Sequence, residues 1–285
     1  MHNILVTGSN GQLGSEIKAL AQTHPTYNFH FTGSKELDIT NHTAVNAFVK
    51  AANVSVIINC AAHTAVDIAE NELTLSTQLN HLAVENFAKI AKANNIQLLH
   101  ISTDYVFDGT SHISYKENDR RNTQSVYGST KLAGEEAMQR INPANSMIIR
   151  TSWVYSSFGN NFVKTMIRLA NQKKELGVIV DQIGTPTYAR DLAKALLEII
   201  PKLKNEKVAV YHYSNEGVCS WYDFAKAIFE IKAIAIKVNA IETSQYPTAA
   251  KRPFFSVLNK NKIKNEFQLE IPYWRDSLKD CLKEL

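Results

Sequence analysis

Gly8-Ser9-Asn10-Gly11-Gln12-Leu13-Gly14 decides the fold. It follows the short run Ile4-Leu5-Val6, and after it Leu13, Ile17, Leu20 and Ala21 recur at helical spacing, so the chain reads strand, tight turn, helix. Glycines here let the backbone turn sharply and approach a pyrophosphate, whose charge then faces the positive end of the helix. A glycine-rich turn alone serves ordinary turns as readily. The flanking strand and helix, and the G-x-x-G-x-x-G spacing so near the start, favour dinucleotide binding. Gly8, Gly11, Gln12, Leu13 and Gly14 are therefore the first candidate cofactor residues.

The same rhythm continues outward. Strands are predicted at Tyr27 to Thr32, at Val54 to Ala62, at Leu98 to Ser102 and at Met147 to Thr151, with helical patterns between them. One long helical pattern runs through Leu79, Leu82, Ala83, Phe87, Ile90 and Ala91, and another covers Ser125 to Arg140. Val54 to Ala62 reads VSVIINCAA, the continuous apolar run of a strand buried on both faces of a parallel sheet. Alternating units of this kind imply an α/β, Rossmann-like, doubly wound parallel sheet. Beyond Trp153 the rhythm loosens: helices are predicted at Phe162 to Ala170, Tyr188 to Ile200 and Trp221 to Ile231, and strands at Val178 to Val180 and Val208 to Tyr213. The expected division is a dinucleotide-binding domain over 1–155 and a smaller C-terminal substrate-binding lobe over 156–285, with some later segments returning to the main sheet.

Composition narrows the class. With 285 residues, 45% hydrophobic and 20% charged, the chain can bury a sizeable core. A net charge of +4 with scattered lysines argues against nucleic acid as the partner. Cys60, Cys219 and Cys281 match neither a disulfide framework nor a zinc site and fit a reducing cytoplasm. No apolar run approaches the roughly 20 residues that cross a bilayer, and no signal peptide is read at Met1, so no membrane is expected.

Tyr127-Gly128-Ser129-Thr130-Lys131 places a tyrosine and a lysine on one face of a predicted helix. The fourth strand ends in Ser102-Thr103-Asp104, at the sheet edge where ligands bind in such folds. A carbonyl that receives hydride develops alkoxide character and needs a proton donor at its oxygen. Tyr127 is the expected donor. A free phenol has a pKa of about 10, and the Lys131 cation is expected to lower it by favouring the phenolate. Thr103 would orient the substrate oxygen. After the second strand, Thr32-Gly33-Ser34-Lys35 suits a 2′-phosphate better than a ribose hydroxyl, so NADPH is expected; the nearby Glu36 keeps NADH open.

The chain resembles the dTDP-4-dehydrorhamnose reductase family, of the extended short-chain dehydrogenase type, nearly end to end. The segments that carry the resemblance are GSNGQLG from Gly8, LDIT from Leu37, NCAAHTAVDIAE from Asn59, STDYVFDG from Ser102, YGSTKLAGE from Tyr127, RTSWVYSSFGNNFV from Arg150, DQIGTPTYARDLA from Asp181 and RPFFSVLN from Arg252. It implies reduction of the C4 keto group of dTDP-6-deoxy-L-lyxo-4-hexulose to dTDP-L-rhamnose. It also implies cofactor contacts at Gly11, Gln12, Leu13, Asp38, Ile39, Ala62, His63, Thr64, Tyr127 and Lys131. The substrate contacts it implies are Thr103, Asp104, Trp153, Asn161 and Arg252.

Nucleotide-sugar 4,6-dehydratases resemble this fold but carry Thr-Asp-Glu after the fourth strand, where this chain has Thr103-Asp104-Tyr105. The elimination base is missing, which favours simple reduction. Some members of the family are dimers joined through Mg²⁺ held by acidic residues in the first helix and in the helix after the GTPT-like turn. Glu16 matches the first, but Arg190 stands where the second would be, and a cation site beside an arginine is electrostatically poor. No metal is expected, and the chain is expected to be a monomer or a metal-independent dimer. Two other readings stay open at this point: another nucleotide-sugar reductase or epimerase, and a non-catalytic NADP-binding regulatory subunit on the same fold.

Overall fold

The computed structural model describes residues 2–285. The first half alternates β1 (His2–Thr7), α1 (Gln12–Leu20), β2 (Tyr27–Thr32), α2 (His42–Ala51) and β3 (Val56–Asn59). There follow α3 (Val66–Ala69), α4 (Leu73–Thr77), α5 (Ala83–Asn94), β4 (Gln97–Thr103), α6 (Val126–Ile141) and β5 (Met147–Thr151). The second half comprises β6 (Val154–Tyr155), α7 (Phe162–Ala170), β7 (Glu175–Ile179), β8 (Ile183–Gly184), β9 (Thr187–Tyr188) and α8 (Ala189–Ile199). It ends with β10 (Ala209–His212), β11 (Cys219–Ser220), α9 (Trp221–Ile231), β12 (Lys237–Ile241), α10 (Asn261–Phe267) and α11 (Trp274–Lys283).

Six parallel strands form the main sheet in the order β10-β5-β4-β3-β1-β2. Ile4 and Val6 point to one face, into a core with Ile17 on α1 and Leu192 and Leu196 on α8. Leu5 points to the other, with Ile57, Leu98, Ile148 and Phe87 under α2 and α5. All three β1 residues are fully buried, which is why the strand is an unbroken apolar run. A third core, around Tyr155, Val163, Phe224, Ile228, Trp274 and Leu278, holds the smaller lobe together. The chain crosses between these regions more than once: β10 pairs along β5 with Tyr211 opposite Ile149, while β7 and β12 pair with each other in the lobe.

Two predicted elements differ in the structure for identifiable reasons. The third strand is shorter than Val54 to Ala62, ending at Asn59. There the Asn59 carboxamide oxygen accepts from the backbone N–H of Ala61, 3.2 Å away, and turns the chain out of the ladder. Gly8, at φ +65°, runs so close across this bend that a Cβ on it would lie 2.7 Å from the Ala61 nitrogen. The long helical pattern around Leu79 is likewise not one helix: a single π-helical turn, Gln78–Leu82, separates α4 from α5. It turns Asn80 inward, where its side chain accepts from the N–H of His63 (2.9 Å) and donates to the carbonyl of the same residue (3.1 Å). The loop after β3 is thereby pinned to the helix.

Candidate active site

A cleft of about 830 Å³ opens outside the carboxyl ends of β1, β3, β4 and β5, around the point where the strand order reverses. Its floor near β1 is the glycine turn. Gly14 has no room for a side chain, since a Cβ there would lie 2.5 Å from the Gly8 carbonyl oxygen; the helix therefore starts hard against the strand. Gly11, the N-cap of α1, has no side-chain capping bond. Gln12 and Leu13, in the first turn, face the cleft beside Gly8 and Gly11. An uncapped helix start with its backbone exposed at the floor is an anion site that fits a pyrophosphate.

The far wall is built from β4 and α6. Ser125 caps α6 by accepting from the Gly128 N–H at 3.1 Å, so that Tyr127 and Lys131 begin on the buried face of the first two turns. Both side chains line the cleft with Thr103 and Asp104 from the end of β4. Tyr127 packs edge-on against Tyr105, with ring centroids 5.4 Å apart. Burial pushes its phenol up to about 12, against a hydrogen bond to Thr103 that acts downward. The net lowering expected from Lys131 is not seen in the free protein, where burial leaves the phenol above its ordinary value. The Lys131 ammonium donates to the Ile101 carbonyl at 2.6 Å, and burial brings it down to about 8, opposed by the Glu135 and Cys60 side chains. The protonated phenol that results has the state a proton donor requires.

Asp104 is the unusual group. It is fully buried, receives the Thr103 hydroxyl at 3.0 Å on Oδ1 and leaves Oδ2 without a hydrogen-bond partner. Burial raises its pKa to about 6. A carboxyl raised on folding contributes stability that is present below its unfolded pKa of about 4 and lost as the pH rises through 6. Asp104→Asn is therefore expected to stabilise the free protein at pH 8 by on the order of 2 kcal/mol, with little effect near pH 4. Thermal unfolding of both proteins at the two pH values checks this; an equal shift at both would remove charge burial as the cause.

Most of the remaining candidates from the sequence also line the cleft. Asp38, Ile39, Ala62 and Thr64 lie along its cofactor side, and Trp153 and Asn161 on the side of the smaller lobe. Asp38 is exposed, and its carboxylate is held low by hydrogen bonds from Thr40. Asn161 is the N-cap of α7 and donates to the Gln12 carboxamide oxygen at 2.9 Å, tying the two sides of the cleft together. Trp153 sits at φ +48°, and its ring stacks on Trp221, with centroids 3.6 Å apart. Trp221 also lines the cleft, though the sequence reading had placed it only as the first residue of a helix.

Three candidates lie behind the cleft wall or beside it. Gly14 acts by packing, as described above. The His63 ring is turned away, with Nδ1 2.8 Å from the Ser76 hydroxyl and Nε2 3.4 Å from Glu72. Arg252 makes a two-pronged ion pair with Asp67, 2.5 Å at the shorter contact, in place of a cleft-lining position. Lys35 is exposed and outside the lining, whereas Gly33 and Ser34 belong to it; Glu36 accepts from the Gly33 N–H at 2.8 Å.

Behind Lys131 lies a polar network with no counterpart in the sequence reading. Glu135, one turn further along α6, is fully buried and binds Arg150 of β5 through both oxygens, at 2.7 Å to Nη2 and 3.0 Å to Nε. It also accepts from the Ser102 hydroxyl at 2.5 Å. The i, i+4, i+8 spacing of Tyr127, Lys131 and Glu135 was the available signal.

The sequence model of the RmlD substrate binding domain family matches residues 1–285. A dTDP-4-dehydrorhamnose reductase of Aggregatibacter actinomycetemcomitans is 42% identical, with 98% of each chain covered. Among solved structures, a dTDP-4-dehydrorhamnose reductase of Clostridium acetobutylicum superposes with a TM-score of 0.93 at 42% identity, covering 99% of this chain and 98% of that one. One from Bacillus anthracis, in complex with NADP, superposes with a TM-score of 0.93 at 36% identity, covering 100% and 99%.

Proposed function

The chain belongs to the RmlD substrate binding domain family, and from that premise we infer that it is an NADPH-dependent oxidoreductase. It reduces the C4 keto group of dTDP-4-dehydrorhamnose to give dTDP-L-rhamnose. The observation that supports this most strongly is the convergence of Thr103, Tyr127 and Lys131 on one cleft, whose floor is the uncapped start of α1. Bound NADPH supplies the hydride. The α1 backbone around Gly11 to Leu13 would hold the pyrophosphate, and Ala62 and Thr64, which line the same cleft, would contact the cofactor as well. Thr103 donates a hydrogen bond to the substrate carbonyl oxygen and orients it toward Tyr127. The Tyr127 hydroxyl gives its proton to that oxygen as negative charge develops there. Lys131 stabilises the phenolate left behind. Asp104 and the Trp153–Trp221 stack border the sugar side. Arg252, held by Asp67 beside the cleft, remains a candidate for the substrate side.

The substrate oxygen meets a buried phenol and a hydroxyl, with Tyr105 where an elimination base would stand. This supports reduction over dehydration. Self-association, where it occurs, is proposed to be independent of Mg²⁺: the Arg190 guanidinium already lies 3.9 Å from Glu16 and 3.6 Å from Glu284. Among the described residues no helix is long and apolar enough to cross a membrane. Three free cysteines and no disulfide among the described residues support a place of work in the cytoplasm.

The test follows reduced-cofactor absorbance with purified protein. NADPH is expected to be consumed only when dTDP-4-dehydrorhamnose is supplied, and dTDP-L-rhamnose to accumulate in equal amount. Tight cofactor binding with no turnover would instead establish a regulatory NADP-binding subunit.

A further inference from the structure

His100 lies in the middle of β4, fully buried, with the Lys131 Nζ 3.5 Å from its Nε2. The polarity of the chain of hydrogen bonds behind it can be assigned from one fixed point. The Ala61 N–H can only donate, so the atom it meets on Asn59, at 3.2 Å, is the carboxamide oxygen. The Thr7 hydroxyl donates to the same oxygen at 2.7 Å. The Asn59 amide nitrogen therefore faces His100, and it donates to Nδ1 at 3.1 Å. A neutral imidazole that accepts at Nδ1 carries its proton on Nε2. That N–H is the atom pointed at the lysine.

We propose that His100 is a positioning residue for Lys131: locked by Asn59 in the Nε2–H form, it offers the lysine a donor where a cation needs an acceptor. Burial alone already lowers the Lys131 ammonium, and a donor in place of an acceptor at 3.5 Å makes it give up its proton more readily still. The proposal rests on the reading of Lys131 as the partner of Tyr127. Burial holds His100 well below its ordinary value, so the ring stays neutral while Lys131 changes charge. The other groups facing Lys131 are neutral or already paired. On its own helix, Tyr127 is a neutral phenol and Glu135 is engaged by Arg150 of β5. On the loop after β3, burial pushes the Cys60 thiol up to about 12, leaving it uncharged. The Ile101 carbonyl accepts from either state of the lysine. The functional result is an alkaline limit: once Lys131 is neutral, nothing stabilises the Tyr127 phenolate, and proton delivery to the substrate slows.

Two nuclear magnetic resonance measurements on the cofactor-free protein test this without any turnover. The ¹⁵N shifts of the His100 ring are expected to report a protonated Nε2 and an unprotonated Nδ1; the opposite tautomer would overturn the proposal. In protein labelled with ¹³C at lysine Cε, the resonance removed by Lys131→Arg is expected to titrate near 8 in place of the ordinary value of about 10.4. In His100→Gln the amide can turn its oxygen to the lysine, and the midpoint is expected to rise by about one pH unit, tenfold in proton affinity. The alkaline limb of kcat for NADPH oxidation should move up with it. An unchanged midpoint in folded His100→Gln refutes the role. If wild type fails to turn over, the proposed function falls, while the two resonance measurements still decide the assignment to His100.

Discussion

Tyr127→Phe is expected to lower kcat for substrate-dependent NADPH oxidation roughly a thousandfold, about 4 kcal/mol of barrier, with cofactor affinity close to wild type. The substitution removes one hydroxyl and keeps the ring that packs edge-on against Tyr105. Because the phenol sits at about 12, it is protonated throughout the neutral range. The loss should therefore be a nearly constant factor from about pH 6 to about pH 7, below the alkaline limit that Lys131 sets on the wild type. Stopped-flow absorbance with saturating substrate measures it, and a cofactor titration by fluorescence separates binding from chemistry. Turnover equal to wild type would mean that the proton comes from another group.

Removal of Glu135 is expected to give the largest loss of stability. Glu135→Ala leaves the Arg150 guanidinium, 1% exposed, without its carboxylate and leaves the Ser102 hydroxyl without its acceptor. Breaking one side of a buried pair costs about 3 to 5 kcal/mol, which corresponds to a fall in Tm of about 10 °C for a chain of this size. The double change Glu135→Leu with Arg150→Met removes both charges and is expected to recover much of that loss, because an apolar pair of similar volume needs no solvation. Urea unfolding of the three proteins checks both statements. A double variant as unstable as the single one would show that His212 and the Glu117 carbonyl, which also contact Arg150, carry more of the cost than the ion pair does.

The first half of the fold was legible because most of its strands are buried on both faces. Burial on both faces writes an apolar run directly into the sequence, and β5 was read to its end residues; the edge strand β2 was read to its ends from the alternation of Phe29 and Phe31 with polar neighbours. The third strand was overextended because Cys60 to Ala62 are as apolar as the strand they follow; what ends it is the turn made by the Asn59 side chain on the Ala61 N–H, across which Gly8 packs. The π turn at Gln78–Leu82 was hidden for a similar reason, since the apolar spacing continues through it while only Asn80 changes direction. In the smaller lobe β6, β8, β9 and β11 are two residues long each, too short for any period to register.

The site divides in the same way. Tyr127 and Lys131 share a helix face, and Thr103 ends a strand, so local spacing brought them to one cleft. Arg252 was read as a substrate contact, but its partner Asp67 lies 185 positions away and no local pattern announces it. His100 falls inside the strand expected at Leu98 to Ser102, and no local motif singles it out. Its significance depends on which atom of Asn59 faces it, and that follows from a backbone N–H two residues beyond.

The placement of β10 at the edge of the main sheet bears on how the chain is made. Translation delivers β5 some 60 residues before the strand that covers its outer edge, since Met147 pairs with Ala209. Over that interval the nascent sheet shows a row of free peptide groups flanked by apolar side chains, the kind of surface that seeds wrong pairings. α8, which packs on α1, also arrives late. The main sheet thus cannot be completed until Ala209–His212 has emerged.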